Sequence, residues 1–545
     1  MCGIAGIVGR NRERVPRMLD RLAHRGPDAR GVLALDALAT TLGHVRLSII
    51  DLDARSNQPM RSACGRFAIS FNGEIYNYVE LRERLEQAGE SFRTSSDTEV
   101  LMRWIARYGE AGLAALDGMY AFAFADIERR TLLLARDPLG EKPLYYAFHG
   151  ANDASFAFAS ELKALLALPE IDTSIDREAL ADYLRFLYTA APNTLYRGIR
   201  ELRPGHVLRL RVDAPCEDTS PFYDLEARTR GELELDREQA VDAFRDAFTS
   251  SMQLRLRSDV PVGVFLSSGL DSNTILGVAR RLAPRADLDT FTVRFAGSRL
   301  ARSADESDLA ARAAVAQHAT NTAITFAQSG DFGDALARTV ELFDQPFGNS
   351  TSVIADRLAE RAAQSCTVCL VGDGGDEILV GYPRHRALLL HQRLRRTPRL
   401  LSDALVNGAS AFGERGRLAT PLRRFKEFAR SLGRPLSESF LDWSTYLDSS
   451  EAAFALDRRE PSRFHAEMLA LFERNAADPV RAAALVDLRS FVPHNLMQAA
   501  DRTSMAHALE LRTPFLSLRV IETALRIRTE HKLARGRAKP LLVDA

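Results

Sequence analysis

Cys2 is the residue whose type and position suggest a specific chemistry most directly. Removal of the initiator Met, which a small second residue permits, leaves Cys2 with both a thiol and a free α-amine. Because an α-amine has a pKa of about 7.7–8, it can accept the proton of its own thiol, as in N-terminal nucleophiles. A lone Cys at this position is more commonly a small buried residue at the start of a strand, so the surrounding motifs must decide between the two interpretations.

The motifs that follow Cys2 support the nucleophile. They are C-G-I-A-G-I-V-G at residues 2–9, H-R-G-P-D at 24–28, R-L-S-I-I-D at 46–51, F-N-G-E-I-Y-N-Y at 71–78 and S-D-T-E-V-L at 96–101. With these five motifs in this order, the first half of the chain resembles the class II glutamine amidotransferases, whose N-terminal Cys hydrolyses glutamine. Asn72 and Gly73 then form a turn-like N-G pair whose side-chain amide and backbone N–H could hold an oxyanion. Without that context, an N-G pair is commonly a plain hairpin turn.

Three charged residues in these motifs are candidates for binding the ends of glutamine. The guanidinium of Arg46 suits an α-carboxylate, and Glu74 and Asp97 could accept hydrogen bonds from an α-ammonium. Alone, each would more commonly be a surface charge. The resemblance implies that Cys2, Asn72 and Gly73 are catalytic and that glutamine is bound by Arg46, Leu47, Ser48, Ile49, Ile50, Asn72, Gly73, Glu74 and Asp97.

Two apolar runs in the second half of the chain open into glycines and polar residues. V-F-L-S-S-G-L-D-S at residues 264–272 ends just before a predicted helix, where backbone N–H groups and hydroxyls can hold an anion. It lacks the G-K-[ST] of a Walker loop. The alternative to an anion site is an ordinary strand–turn–helix that binds no ligand. L-V-G-D-G-G-D-E at 370–377 supplies clustered aspartates, which suit a Mg²⁺ that bridges phosphates.

The first of these runs resembles the pyrophosphate loop of ATP pyrophosphatases, which adenylate a carboxylate. Two later motifs, D-R-T-S-M-A-H-A-L-E-L-R-T-P-F-L at 501–516 and G-R-A-K-P-L-L at 536–542, extend the resemblance to the glutamine-hydrolysing asparagine synthetases. The resemblance implies that Asp271 and Asp376 bind Mg²⁺, that Asp373 supports the acyl-adenylate and that Lys539 lies over the α-phosphate. The implied ATP-binding residues are Phe265, Ser267, Ser268, Gly269, Leu270, Asp271, Ser272, Val293, Val371 and Gly372.

The resemblance implies a complete reaction cycle with glutamine, ATP and aspartate as substrates. Cys2 releases ammonia from glutamine, Mg·ATP activates the aspartate side chain, and ammonia crosses an internal tunnel and displaces AMP. Three departures leave the acceptor open: Val371 where some members carry Ser, Gln345 in F-D-Q-P-F-G-N-S instead of D-E-P-F, and an end at Ala545 soon after Lys539. The alternatives are a ligase that amidates another carboxylate, such as a natural-product precursor, and a glutamine or nucleotide sensor with an impaired synthetase site.

The elements that must position these residues differ between the two halves. Short alternating runs over the first 210 or so residues predict stacked sheets, interrupted by helices at 78–88 and 98–108. Later runs alternate with helices, among them 237–254, 307–318 and the stretch 384–431, and predict a parallel sheet. The resemblance implies an αββα sandwich of the Ntn-hydrolase type and an α/β ATP-pyrophosphatase (adenine nucleotide α hydrolase-like) domain. We predict domains at 1–212 and 237–545, joined by a linker at 213–236.

Composition excludes several other classes of protein. Lys+Arg 72 balances Asp+Glu 72 over 545 residues, which offers no basic surface for nucleic acid or membrane. The absence of a long apolar run or a secretory signal predicts a cytoplasmic protein, and the family resemblance makes a homodimer a candidate assembly. Five cysteines make no disulfide framework. Cys366-x-x-Cys369 is interpreted as core rather than zinc or redox chemistry, because positions i and i+3 of a strand face opposite ways.

Overall fold

A computed structural model describes residues 2–149, 155–296, 305–326, 332–394, 404, 406–407, 419–447, 451, 462–533 and 537–545. Two six-stranded antiparallel sheets form the first half of the chain. The first sheet has the order β10-β8-β9-β1-β3-β2, with β1 Gly3–Val8, β2 Ala29–Leu35, β3 Thr40–Arg46, β8 Tyr145–His149, β9 Ser155–Ala159 and β10 Arg200–Glu201. The second has the order β12-β11-β7-β6-β5-β4, with β4 Met60–Arg61, β5 Phe67–Ile75, β6 Gly118–Asp126, β7 Thr131–Arg136, β11 His206–Arg211 and β12 Asp218–Pro221.

The helices of the two halves pack on the sheets or on one another. In the first half they are α1 Val15–Asp20, α2 Tyr78–Gln87, α3 Asp97–Tyr108, α4 Leu162–Leu165, α5 Arg177–Phe186 and α6 Leu225–Arg228. In the second half they are α7 Arg237–Arg255, α8 Leu270–Leu282, α9 Ser307–Ala316, α10 Phe332–Phe343, α11 Ser352–Ala362, α12 Gly375–Ile378, α13 Pro383–Leu394, α14 Ala419–Ser431, α15 Leu436–Trp443, α16 Arg463–Arg474, α17 Pro479–Arg489, α18 Met497–Met505, α19 Leu518–Arg526 and α20 Pro540–Asp544. The helices predicted at 78–88, 98–108, 237–254 and 307–318 are confirmed; of 384–431, residues 395–403, 405 and 408–418 lie outside the described residues.

Side-chain alternation along the strands explains why the two antiparallel sheets stack. Ile4 and Leu42 of the first sheet pack against Ala121 and Leu134 of the second, which makes a core between them. The outer face of the first sheet packs on α1, and the outer face of the second packs on α2 and α3. The predicted αββα layering, with two stacked sheets between outer helices, is therefore confirmed.

The second half is built on a five-stranded parallel sheet with the order β15-β14-β13-β16-β17. Its strands are β13 Val262–Phe265, β14 Asp289–Phe295, β15 Thr320–Phe326, β16 Val368–Leu370 and β17 Glu510–Arg512. Val264 packs with α7 and α8, whereas Phe291 packs with α11 in a separate cluster. Helices thus cover both faces, as the alternating pattern predicts. In the described ranges, none of the helices has the length and apolar character of a membrane span.

The structure differs from the sequence-based predictions at two places, the expected linker and the Cys366–Cys369 pair. Part of the stretch expected to be a linker belongs to the fold, because β12 pairs with β11 at the edge of the second sheet and α6 follows it. The sulfurs of Cys366 and Cys369 lie 3.4 Å apart in a buried cluster. The argument that they face opposite ways is wrong, because β16 begins only at Val368 and Cys366 lies before it.

Candidate active sites

Cys2 lies directly before β1, in the middle of the first sheet, and is almost fully buried. Its backbone nitrogen donates a hydrogen bond to Asn72 Oδ1 at 3.0 Å, and its Sγ lies 3.9 Å from the carbonyl oxygen of Leu47. Burial raises the pKa of the Cys2 thiol. The thiol therefore needs a nearby proton acceptor to become a nucleophile, and a free α-amine on the same residue is placed for that role.

Asn72 and Gly73 lie inside strand β5 and not in a turn, so the turn-like interpretation of the N-G pair is wrong. A Cβ on Gly73 would lie 2.0 Å from the carbonyl oxygen of Met119 on the neighbouring strand, which explains the glycine. Asn72 Nδ2 is buried and has no hydrogen-bond partner among the described residues. A buried donor without a partner is unfavourable by about 1–3 kcal/mol, so this N–H group is suited to a ligand oxygen beside Cys2.

Arg46 organises the loop that follows β3. Its two terminal nitrogens donate to the carbonyl oxygens of Ile50, Asp51 and Asp53, at 3.4 Å for Ile50 and 3.0 Å for Asp53, and to Asn57 Oδ1 at 2.8 Å. These bonds hold the backbone that carries the other predicted glutamine-binding residues, Leu47, Ser48, Ile49 and Ile50. A glutamine carboxylate at Arg46 would have to share a guanidinium whose two terminal nitrogens are already bonded to the loop.

Glu74 and Asp97 are brought together as two buried carboxylates. The backbone nitrogen of Ile75 donates to Asp97 at 3.0 Å, which fixes that carboxylate at the start of α3. Burial raises the pKa of Asp97 to about 6, and burial together with the charges of Asp97 and Glu510 raises the pKa of Glu74 well above its usual value. A bound ammonium would relieve this repulsion, so the pair is suited to the α-amino group of an amino acid.

The second site is a cavity of about 540 Å³ at the carboxyl ends of β13, β14 and β16. Eight of the predicted ATP-binding residues line it: Phe265, Ser267, Gly269, Asp271, Ser272, Val293, Val371 and Gly372. Among that predicted set, Ser268 bonds to Glu306 through its hydroxyl at 2.5 Å, and Leu270 is exposed. The cavity is of the size that nucleotide sites occupy, and it lies where parallel sheets bind ligands.

Lys539 joins the two predicted metal ligands at the rim of this cavity. Its ammonium contacts Asp271 and lies 2.6 Å from Asp376. Asp271 Oδ1 is buried and without a hydrogen-bond partner among the described residues. Burial raises the pKa of Asp271 although Lys539 opposes this, and burial with the charges of Asp271 and Asp376 raises the pKa of Asp373 to about 6. Three carboxylates and one ammonium therefore lie together, an arrangement suited to a ligand that brings both a cation and anionic oxygens.

A magnesium ion fits these donors. Mg²⁺ is commonly bound through one or two carboxylates, with phosphate oxygens and water completing its six positions. In the described ranges, no group of three His, Cys, Asp or Glu side chains is arranged to hold a metal ion. Asp271 and Asp376, with the unpartnered Asp271 oxygen, therefore match a metal carried in by a nucleotide better than a metal held by the protein alone.

Gln345, one of the departures in the sequence, lies in a contact between the two halves. Its Nε2 donates to Thr189 at 2.8 Å, and its Oε1 accepts from the nitrogen of Leu195 at 3.0 Å. The amide therefore joins α10 and the following loop to the segment after α5. It does not line the described cavity.

Sequence reasoning assigned no role to a buried ionic cluster between the two sites. Arg25 donates to Asp501 at 2.8 and 2.9 Å and to Glu161 at 2.6 Å, and Arg502 pairs with Glu161 at 2.9 Å. Arg25 and Asp501 both lie inside motifs quoted above. The signal that could have identified them is that both are charged residues inside the motifs on which the resemblance rests.

Comparison with known proteins gives two family matches and several relatives that align over the whole of this chain. The model described as "Glutamine amidotransferase domain" matches residues 1–223, and the model described as "Asparagine synthase" matches residues 243–545. The glutamine-hydrolyzing asparagine synthetase 1 of Bacillus subtilis is 32% identical over 100% of this chain and 84% of its own length. Asparagine synthetase 3 of the same organism is 29% identical, covering 100% and 84%. Amidase chry2 of Gibberella zeae is 28% identical, covering 100% and 86%.

Proposed function

The chain belongs to the family of glutamine-hydrolysing asparagine synthetases and is an ATP-dependent, glutamine-hydrolysing ligase, and from this premise we propose that it converts aspartate to asparagine. We assign the glutaminase to residues 1–212 together with β12 of the expected linker, and the synthetase to residues 237–545. The observation that carries the proposal is the presence of two sites in one chain. Buried Cys2 lies beside Asn72, whose Nδ2 has no partner among the described residues, and a nucleotide-sized cavity has a rim that joins Asp271, Asp376 and Lys539.

In the glutaminase half, Cys2 attacks the side-chain amide of glutamine. After removal of Met1, the Cys2 nitrogen becomes an amine that Asn72 Oδ1 holds, and its lone pair takes the thiol proton. Asn72 Nδ2 and the backbone N–H of Gly73 stabilise the oxyanion, since preorganised donors in a buried site contribute about 2.7–4 kcal/mol each. Glu74 and Asp97 bind the substrate ammonium, and Arg46 binds its carboxylate while holding the loop.

In the synthetase half, the turn between β13 and α8 binds the phosphates of ATP, with Ser267, Gly269 and Ser272 providing backbone N–H groups and hydroxyls at the start of α8. Lys539 offsets the negative charge that develops as pyrophosphate leaves. Asp373 is held close to Asp271 and Asp376, and burial together with their charges raises its pKa to about 6. Ammonia released at Cys2 then displaces AMP from the activated carboxylate.

Magnesium would be held by Asp271 and Asp376 together with the phosphates of ATP. When bound, it neutralises charge on the phosphate oxygens and orients them. The two carboxylates would then be shared between the magnesium ion and the ammonium of Lys539. The Asp271 oxygen that has no partner among the described residues supports this assignment.

A different acceptor carboxylate is the second candidate function. A relative that aligns over the whole of this chain is named an amidase, so the acceptor side of the reaction is the part that can differ. The glutaminase and nucleotide residues would keep the same roles in that case. The two functions differ only in what is adenylated.

The test is a panel of carboxylates offered to the purified protein with glutamine and Mg·ATP. Release of AMP and pyrophosphate, together with the amide product, is measured for each acid. We expect AMP release to depend on aspartate, with asparagine accumulating in equal amount. Glutamine hydrolysis without aspartate-stimulated AMP would refute the proposal, and AMP release with another acid of the panel would support the second candidate.

A further inference from the structure

Arg25 connects the backbone of Cys2 to the synthetase half of the chain. The guanidinium is completely buried, at 0% exposure, and uses all three of its nitrogens. Nε donates to the carbonyl oxygen of Cys2 at 3.0 Å, and the two terminal nitrogens donate to the two oxygens of Asp501 at 2.8 and 2.9 Å. A two-pronged bond of this kind fixes the orientation of the guanidinium as well as its position.

Asp501 lies on α18, and the preceding turn of this helix forms part of the nucleotide cavity. Leu496, Ala499 and Ala500 line that cavity. Asp501 follows Ala500 directly and points to the glutaminase half. Because a helix turn moves as a rigid unit, a displacement of Ala499 and Ala500 by a bound nucleotide displaces Asp501 as well.

The other charges around Arg25 show what removal of Asp501 would do. Glu161 bonds to Arg25 at 2.6 Å and pairs with Arg502 at 2.9 Å, and Lys142 lies 3.7 Å from Asp501. Without the Asp501 carboxylate, Glu161 is the one remaining acid within bonding distance of Arg25 in the described structure. The guanidinium would turn towards it, and the bond from Nε to the Cys2 carbonyl would be lost or bent.

We propose that Asp501 is a positioning residue for the glutaminase site, supplied by the synthetase half, and that it transmits the state of the nucleotide cavity through Arg25 to Cys2. The inference rests on the proposed role of Cys2 as the nucleophile. It assigns a function to the D-R of the D-R-T-S-M motif that lies outside both pockets. It also makes the rate of glutamine hydrolysis depend on what occupies the other site.

The first test uses Asp501→Asn, which keeps the shape and removes the charge, with Asp501→Glu as the conservative variant. The matched control is Asp442→Asn, which removes a charge from another ion pair between the halves. Asp442 is partly buried and lies 3.0 Å from Arg185 and 2.7 Å from Arg434. We expect Asp501→Asn to lower the glutaminase kcat at least ~10-fold, since a shift of ~1 Å at a reacting group can cost ~10²-fold. In Asp501→Asn, the KM for glutamine should change less than twofold, and so should the rate of ammonia-dependent AMP release. Asp501→Glu should recover part of the glutaminase kcat.

The second test measures alkylation of Cys2 by iodoacetamide, peptide by peptide, with and without Mg·ATP and aspartate. Exposed Cys64 and Cys216 serve as internal references for reagent activity. We expect a nucleotide effect of about 5-fold or more on Cys2 in the natural protein, which is the lower range for coupled sites, and none in Asp501→Asn.

Three results would overturn the proposal. One is an unchanged glutaminase kcat in Asp501→Asn. Another is a fall of glutaminase activity, ammonia-dependent AMP release and melting temperature together in Asp501→Asn, which would indicate general disruption of the fold. An equal loss of glutaminase kcat in Asp442→Asn would indicate the same. The third is Cys2 labelling in the natural protein that ignores the nucleotide. Failure of the proposed function is distinguishable, because the natural protein would then show no glutaminase or no AMP release at all.

Discussion

Gly73→Ala tests the proposed oxyanion site at a residue that has no room for a side chain. A Cβ there would lie 2.0 Å from the Met119 carbonyl oxygen and 2.8 Å from the Tyr120 Cα, whereas real Cβ contacts essentially never fall below 3.0 Å. Both neighbours are backbone atoms of β6, so β5 itself must shift by about 1 Å. A displacement of that size at donors to a reacting oxygen costs about 10²-fold in rate. We therefore expect glutaminase kcat to fall about 100-fold.

The assay is glutamate release at saturating glutamine, with ammonia-dependent AMP release measured on the same samples. Gly89→Ala is the matched control, because Gly89 also has a positive φ but has no atom within 4 Å of the added Cβ. It therefore carries the backbone strain without the collision, and its glutaminase should stay within twofold of the natural protein. A Gly73→Ala protein with normal glutaminase would refute the assignment, and loss of both activities would point to misfolding of β5 instead.

Four further predictions address the two sites. Cys2→Ala should abolish glutamate release while ammonia-dependent AMP release is retained; equal loss of both would show that Cys2 acts beyond glutamine hydrolysis. Asp271→Asn and Asp376→Asn should each suppress AMP release and spare basal glutaminase, and normal pyrophosphate release over a Mg²⁺ titration would remove that residue as a ligand. Lys539→Met should lower AMP release by about 10²–10³-fold with no change in glutaminase; a smaller effect on both would contradict its placement at the phosphates. Because Asp97 has a pKa of about 6 and binds an ammonium only when ionised, the KM for glutamine should rise as pH falls through 6; a KM that is flat between pH 5 and 8 would contradict this role.

The fold could be predicted well from sequence because local patterns and tertiary structure agree. The helix at 98–108 begins where Ser96 accepts a hydrogen bond from the nitrogen of Thr98, a cap that the S-D-T-E motif signals. Apolar residues alternate with small or polar ones along the strands of the two stacked sheets. Along the strands of the parallel sheet, which helices cover on both faces, the apolar residues form continuous runs. β12 was missed because a short, exposed edge strand needs no apolar alternation.

The sites could be predicted in part. The motifs predicted residues that the structure does bring together: Cys2 lies beside Asn72, and eight of the predicted ATP-binding residues line one cavity. The N-G pair was misassigned as a turn, since only the contact with Met119 on the neighbouring strand explains why the glycine is needed. The Arg25–Asp501 pair joins residues 476 positions apart, and no local pattern reports which distant charges meet in a buried interface.

The interface between the halves is consistent with the two proposed reactions in one chain. Arg512 of β17 donates to the carbonyl oxygens of Arg255 and Arg257, and it lies 4.0 Å from Glu74 beside the glutamine pocket. The carboxyl end of β17 therefore lies next to the proposed glutaminase site. Such a buried contact is suited to keeping ammonia and an activated carboxylate away from water.

The most direct test of the central claim follows the amide nitrogen itself. The protein is supplied with glutamine labelled with ¹⁵N in the side-chain amide, Mg·ATP, aspartate and an excess of unlabelled ammonium, and the product is examined by mass spectrometry. We expect asparagine that carries the ¹⁵N label, formed in equal amount with AMP and pyrophosphate, because nitrogen passes within the chain from Cys2 to the nucleotide site. Label found only as free ammonium, or asparagine absent while glutamate accumulates, would contradict the account.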